Sequence, residues 1–204
     1  MIEARNVTVT YDDTAVLQQV SVTITPGTTT GITGPSGVGK TTLLGVLAGL
    51  VQPDTGTVTW DEQARPSRGS IALLAQHPRL VCNPRWTLGA IVAEPAAIRR
   101  QPIDVEAVCD RAGLDTALLK RFPAQVSDGQ LQRACLARIL VQRPIYIFCD
   151  EPTSMLDPIA ARDVMRLLTA LAADGAGLAV VSHDRGVIDT LAPEHLELRA
   201  HIAS

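Results

Sequence analysis

The eight residues Gly34-Pro35-Ser36-Gly37-Val38-Gly39-Lys40-Thr41 follow a β-branched run, TTTGIT at 28–33. They precede an apolar stretch in which Leu43, Leu44, Val46 and Leu47 mark a short buried helix ending at Gly49. They fit G-x-x-x-x-G-K-[ST] in full, and strand, loop and helix come in the order the pattern requires. Gly37 and Gly39 let backbone N–H groups curl around a β-phosphate, and the helix N-terminus adds partial positive charge. Lys40 reaches the β- and γ-phosphates, and Thr41 ligates Mg²⁺. A chain built around this loop is committed to an α/β arrangement with a polyphosphate at one edge of its sheet. There is no NKxD guanine reader. Tyr11 lies upstream, where an aromatic ring can stack on a base, although a lone Tyr at a strand end reads equally well as core.

A second signal is IYIFCDE at 145–151. An apolar run ending in two acids describes a buried strand that delivers carboxylates to the sheet edge where the phosphate loop lies. Asp150 is expected to hold Mg²⁺ through water, and Glu151 to polarise the attacking water. Two adjacent carboxylates at such a strand end repel each other unless a cation is near. Gln76 follows IALLA (71–75) and can touch metal and water with its amide. His183 follows LAVVS (178–182) and can reach a γ-phosphate or serve as a cap, and Asp157 is an N-cap in any reading. The run VSDGQLQR (126–133) opens an amphipathic stretch ending near Val141. Ser127 and Asp128 both suit an N-cap, yet a cap needs only one of them, and an ordinary helix start asks for neither Gly129 nor Gln130.

Periodicity organises the rest. Val7, Val9 and Tyr11 alternate with polar residues, as do Val20, Val22 and Ile24, which predicts antiparallel strands near the N-terminus. The runs 71–75, 145–149 and 178–182 suit parallel strands covered on both faces. Asp157 and Pro158 start a helix, Val164, Leu167, Leu168 and Leu171 give its face, and Gly175 and Gly177 stop it. Residues 77–142 are mostly helical and carry Pro78, Pro84, Pro95, Pro102 and Pro123. They read as a subdomain inserted into one domain spanning 1–204, whose α/β core is 1–76 and 143–204. With 204 residues, 46% of them apolar, the chain can bury one substantial core. A formal charge of −3 with scattered Lys and Arg excludes the basic stripe of a nucleic-acid binder. The longest apolar runs are too short to span a bilayer, and an N-terminus without a signal-peptide core leads to the expectation of a cytosolic chain. Cys82, Cys109, Cys135 and Cys149 are widely spaced and read as small buried hydrophobes.

In this order the motifs resemble the nucleotide-binding subunit of ABC transporters over nearly the whole chain. GPSGVGKT is similar to the family's Walker A loop, Gln76 to its Q-loop, and VSDGQ to the signature usually written LSGGQ. IYIFCDE resembles Walker B with the catalytic Glu, SMLD the D-loop, His183 the switch histidine and Tyr11 the adenine-stacking position. The resemblance implies an α/β fold: a P-loop NTPase core with a mainly parallel sheet, an N-terminal antiparallel β subdomain and an inserted α-helical subdomain. It implies ATP and Mg²⁺ as cofactors, with Glu151, His183, Gln76 and Lys40 in catalysis. Nucleotide contacts would come from Tyr11, Gly34, Ser36, Gly37, Gly39, Lys40, Thr41 and Thr42, and from Ser127, Gly129, Gln130 and Asp157. Metal contacts would come from Thr41, Gln76 and Asp150. In such proteins the signature helix points at the γ-phosphate of an ATP held by a different subunit, so its start looks unemployed within its own chain.

The implied partners are a second ATPase subunit, two membrane permease subunits and an extracytoplasmic substrate-binding protein, with no nucleic acid. The implied place is the cytoplasmic face of the membrane. NPRWTLGAIVAEPAAI (83–98) and FPAQVSDGQLQRACLARIL from Phe122 resemble the subgroup that powers dipeptide, oligopeptide and nickel uptake, and phosphonate-metabolism ATPases share similar stretches. Val126 and Asp128 depart from the usual signature. Asp128 sets a carboxylate beside a partner's phosphate or caps the helix. The stop at Ser204, without the extension common in the peptide subgroup, bears on the substrate. A soluble non-transport ABC ATPase is the alternative reading. A silent module is disfavoured by the presence of Lys40, Asp150, Glu151 and His183.

Overall fold

The structure is a computed structural model and describes residues 1–192 and 194–199. The chain divides into two compact units. One comprises Met1–Leu73, Ile145–Glu151 and the chain from Leu168; the other comprises Leu74–Pro144 and Pro152–Leu167.

The first unit holds two sheets. In one, β1 (Ile2–Tyr11) lies between β2 (Thr14–Ile24) and β4 (Thr55–Trp60), antiparallel to both. Ile2, Ala4, Val7 and Val9 turn inward from β1. The β1–β2 turn sets Asp12 and Asp13 at φ 46 and 61, the doubly left-handed turn whose twist matches a two-residue hairpin and which Asp tolerates. The other sheet has the order β5 (Ile71–Leu74), β6 (Tyr146–Asp150), β7 (Gly177–Val181), β3 (Thr29–Thr33), β8 (Glu194–Glu197). β3 runs parallel to β7 and β8, and β6 runs parallel to β7 with Asp150 opposite Val181. Because these strands point the same way, the segments leaving β3, β6 and β7 emerge at one edge. Those segments begin at Gly34, Glu151 and Ser182.

Between the sheets and helix α1 (Lys40–Leu47) lies a core that includes Ile32, Leu43, Leu47, Phe148 and Val181. Complete burial of such a side chain stabilises the fold by about 1.5–3 kcal/mol. Trp60 closes one side, its indole N–H donating to the Leu47 carbonyl at 2.7 Å. Helix α7 (Arg185–Leu191) packs near β3.

The second unit is helical: α2 (Pro78–Val81), α3 (Leu88–Arg99), α4 (Val105–Ala112), two 3-10 turns at Thr116–Lys120 and Pro123–Gln125, and α5 (Asp128–Gln142). Helix α5 is its centre, with α2, α3 and α4 packed on it. Leu131, Ala134, Leu136 and Ala137 are buried on its inner face, and the alanines permit close approach. Residues 152–167, which include the first turns of α6 (Pro158–Ala173), go with this unit. Periodicity predicts none of β4, α7 and β8. All four Cys are buried and free.

Candidate active site

The phosphate loop is shaped by backbone constraints. Gly39, at φ +99, caps α1 in the left-handed region, and a Cβ there would meet the Val16 carbonyl at 2.8 Å. A glycine is therefore needed twice over, for conformation and for space. Lys40 Nζ donates to the Gly34 and Pro35 carbonyls at 2.8 Å each, so the loop curls around its ammonium. The Gly37 and Gly39 amides make no hydrogen bond among the described residues. Unused N–H groups at a helix start fit an anion. Ser36 stands exposed on the loop and Thr42 sits in the first turn of α1. Tyr11, 49% exposed, ends β1 opposite Thr14, and two residues further on Val16 and Leu17 of β2 back Gly39.

The carboxylates lie at the same edge. Thr41 Oγ1 donates to Asp150 Oδ2 at 2.6 Å, although 109 residues separate them. A hydroxyl and a carboxylate brought together are hard oxygen donors suited to Mg²⁺. Among the described residues no three His, Cys, Asp or Glu gather into a metal cage. Glu151 adopts φ 50, a strained conformation for a residue other than glycine, while its N–H continues the ladder to the Val181 carbonyl at 3.0 Å. Its carboxylate accepts from the His183 amide at 3.0 Å and lies 2.9 Å from His183 Nδ1; Ser182 Oγ is 3.5 Å away. The carboxylate is only 11% exposed and the imidazole 71%. Ser182 has no counterpart in the sequence reading, because a Ser at a strand end carries no signal of its own. Burial and the neighbouring Asp150 push the Cys149 thiol up to about 12.

Gln76, Ser127, Gly129, Gln130 and Asp157 belong to the helical unit. Gln76 follows β5 by two residues and is half-buried. At the start of α5, Ser127 Oγ accepts from the Gln130 amide at 3.2 Å, and the Gln130 side chain accepts from the Ser127 amide at 3.0 Å. This capping box corrects the expectation of an unemployed helix start. Asp128 is not the cap either. It occupies the first helical position, and Arg79 Nε donates to its Oδ1 at 2.5 Å. A Cβ on Gly129 would touch Leu156 at 3.2 Å. Asp157 Oδ1 accepts from the Ile159 and Ala160 amides at 2.9 and 3.0 Å. The Ala160 bond, then that of Ile159, holds its carboxyl below the ordinary aspartate value.

The family model described as ABC transporter matches residues 17–154, most of the chain. The chain belongs to the ABC transporter family. Among relatives of this ABC protein, the oligopeptide transport ATP-binding protein OppF of Haemophilus influenzae is 34% identical over 84% of the chain. The chain spans 57% of that relative's length. The nickel import system ATP-binding protein NikE of Staphylococcus aureus strain N315 is also 34% identical, over 94% of the chain and 83% of its own length. Among solved structures, the dimeric bacterial ABC transporter cassette MJ0796 aligns with a TM-score of 0.86 at 28% identity. That alignment covers 98% of this chain and 94% of the cassette. A dimeric post-hydrolysis state of the same cassette, bound to ADP and Pi, gives a TM-score of 0.85 at 28% identity, over 97% and 94% of the two chains. The ABC fold accounts for the antiparallel sheet, the parallel sheet and the helical unit alike. Among its described residues, no helix is long and apolar enough to cross a membrane.

Proposed function

We propose that this ABC protein is the ATP-hydrolysing subunit of an importer, closing on a second ATPase subunit when ATP binds and passing that motion to two membrane permeases. The observation that carries the reading is the Thr41–Asp150 contact at 2.6 Å beside a Glu151 clamped on His183. Cation donors and a candidate base are thereby adjacent at the phosphate loop. Lys40 and the loop amides bind the phosphates, and Thr41 and Asp150 would hold Mg²⁺. When bound by these two oxygens, Mg²⁺ would supply positive charge against the phosphates. Glu151 accepts the proton of the attacking water, and His183, with Ser182 behind it, holds the carboxylate in place. Tyr11 stacks on the adenine. Ser127, Gly129, Gln130 and Asp157 complete the site of the opposing subunit. Loss of the γ-phosphate contacts after hydrolysis lets the pair open.

A contact surface for permeases is supported by Leu80, Val81 and Trp86 of the helical unit, which are 82%, 53% and 39% exposed. The matches to OppF and NikE favour peptides or nickel complexes as cargo, delivered by an extracytoplasmic binding protein, with the ATPase held at the cytoplasmic face of the membrane. Glu151→Gln tests the reading. ATP binding should persist while turnover falls by about 10²–10⁴-fold, and the protein should accumulate as an ATP-bound dimer. An unchanged hydrolysis rate removes Glu151 from the chemistry.

A further inference from the structure

A helix start that faces a nucleotide gains from its dipole and its free amides, and a carboxylate there works against it by repelling phosphate. Asp128 is such a carboxylate, one residue beyond Ser127, and its side chain is 46% exposed. It is answered within its own unit. Arg79, on the short helix α2 that begins two residues after Gln76, sends its guanidinium to the start of α5 and makes three bonds there. Nε reaches Asp128 Oδ1 at 2.5 Å, Nη1 the Pro123 carbonyl at 2.6 Å and Nη2 the Val126 carbonyl at 2.7 Å. A planar fork with several fixed donors makes this pattern; an ammonium on a flexible stem does not. The Pro123 and Val126 carbonyls lie at the start and the exit of the 3-10 turn that leads the chain into Ser127. A single side chain thus neutralises the one acid at the start of α5 and fixes the direction from which the backbone enters it.

We propose that Arg79 is a positioning residue: it cancels the charge of Asp128, so that a helix start carrying a carboxylate can still receive the phosphate of a facing nucleotide. The inference rests on the proposed function, in which the start of α5 completes the ATP site of a second subunit. It also links the segment after Gln76 to that site through one guanidinium. The pair is exposed enough that its removal leaves the fold standing. The effect therefore falls on nucleotide-driven assembly.

The test uses the full chain carrying Glu151→Gln and measures, by analytical ultracentrifugation, the ATP concentration that gives half-maximal dimer. Adding Arg79→Gln, which keeps hydrogen-bond donors and drops the charge, should raise that concentration about tenfold at low salt, and the rise should fade as KCl screens the exposed carboxylate. Arg79→Gln with Asp128→Asn should return to within about twofold of the parent, since neither charge remains. Equal impairment of the single and double variants, or a rise that salt does not alter, makes Arg79 merely structural and overturns the proposal. So does an unchanged ATP requirement in Arg79→Gln. Failure of Arg79→Gln to fold makes Arg79 structural and overturns the proposal. If the Glu151→Gln parent forms no dimer with ATP, the underlying function falls and the inference with it. A parent dimer that ignores Arg79 removes the inference alone.

Discussion

Gly39 and Glu151 both occupy the left-handed region, for opposite reasons. Gly39 is there because the loop must turn into α1 against the Val16 carbonyl, which a Cβ would meet at 2.8 Å. Gly39→Ala is expected to destabilise the chain by about 1–3 kcal/mol from backbone strain alone. It should also abolish ATP binding, both read by thermal melting with and without Mg-ATP; a variant that melts like the parent and still responds to ATP would contradict the account. Glu151 holds a conformation at φ 50 that its own side chain does not favour. The strain is over-determined by the ladder bond to Val181 and the contacts with His183 and Ser182. Such strain keeps the carboxylate proposed as the base aimed without relying on substrate. The loop, both carboxylates and His183 were legible in the sequence because each follows an apolar strand, so a period-2 or continuous run announces where it emerges. Arg79 and Ser182 were not legible. Their partners are fixed only once α2 meets α5 and β7 lies beside β6.

At the scale of elements, the start of α6 and the body of α5 show what is set locally and what is set by packing. The carboxyl of Asp157 accepts the Ile159 and Ala160 amides, with Arg133 adding a weaker attraction, and sits below the ordinary aspartate value. A group whose folded pKa is depressed contributes stability that is present above its unfolded value and is lost as pH falls through the folded one. Asp157→Asn keeps the cap without the charge. It is expected to match the parent's melting temperature once the pH lies below both values, and to fall behind it only above them. A carboxyl titrating by NMR at or above about 3.9 would contradict the assignment. Helix α5 owes its place to Leu131, Leu136 and their neighbours rather than to its capping box. Leu136 is 1% exposed, and Leu136→Ala should cost about 2–5 kcal/mol in denaturant unfolding; a loss below about 1 kcal/mol would mean that the unit repacks with ease. The amphipathic run after Ser127 was readable in advance. β4 and β8 were not, because TGTVTW contains a glycine and EHLE offers one apolar residue, too little alternation to distinguish a strand.

For the whole molecule, one fact organises the proposed cycle: the phosphate loop and carboxylates sit on one compact unit, and the Ser127 turn sits on the other. The proposal is that the turn serves a nucleotide held by a second chain, which makes every ATP site composite. Lys40→Ala disables the loop and Ser127→Arg disables the turn, so either variant alone leaves a pair of chains with no intact site. In a mixed pair the two lesions fall in the same site, and the remaining site has an intact loop from one chain and an intact turn from the other. The decisive measurement is therefore ATP hydrolysis by the two inactive variants mixed at equal concentration. Recovery of activity on mixing is the result expected of composite sites; a mixture as inactive as its parents would mean that loop and turn serve the same chain.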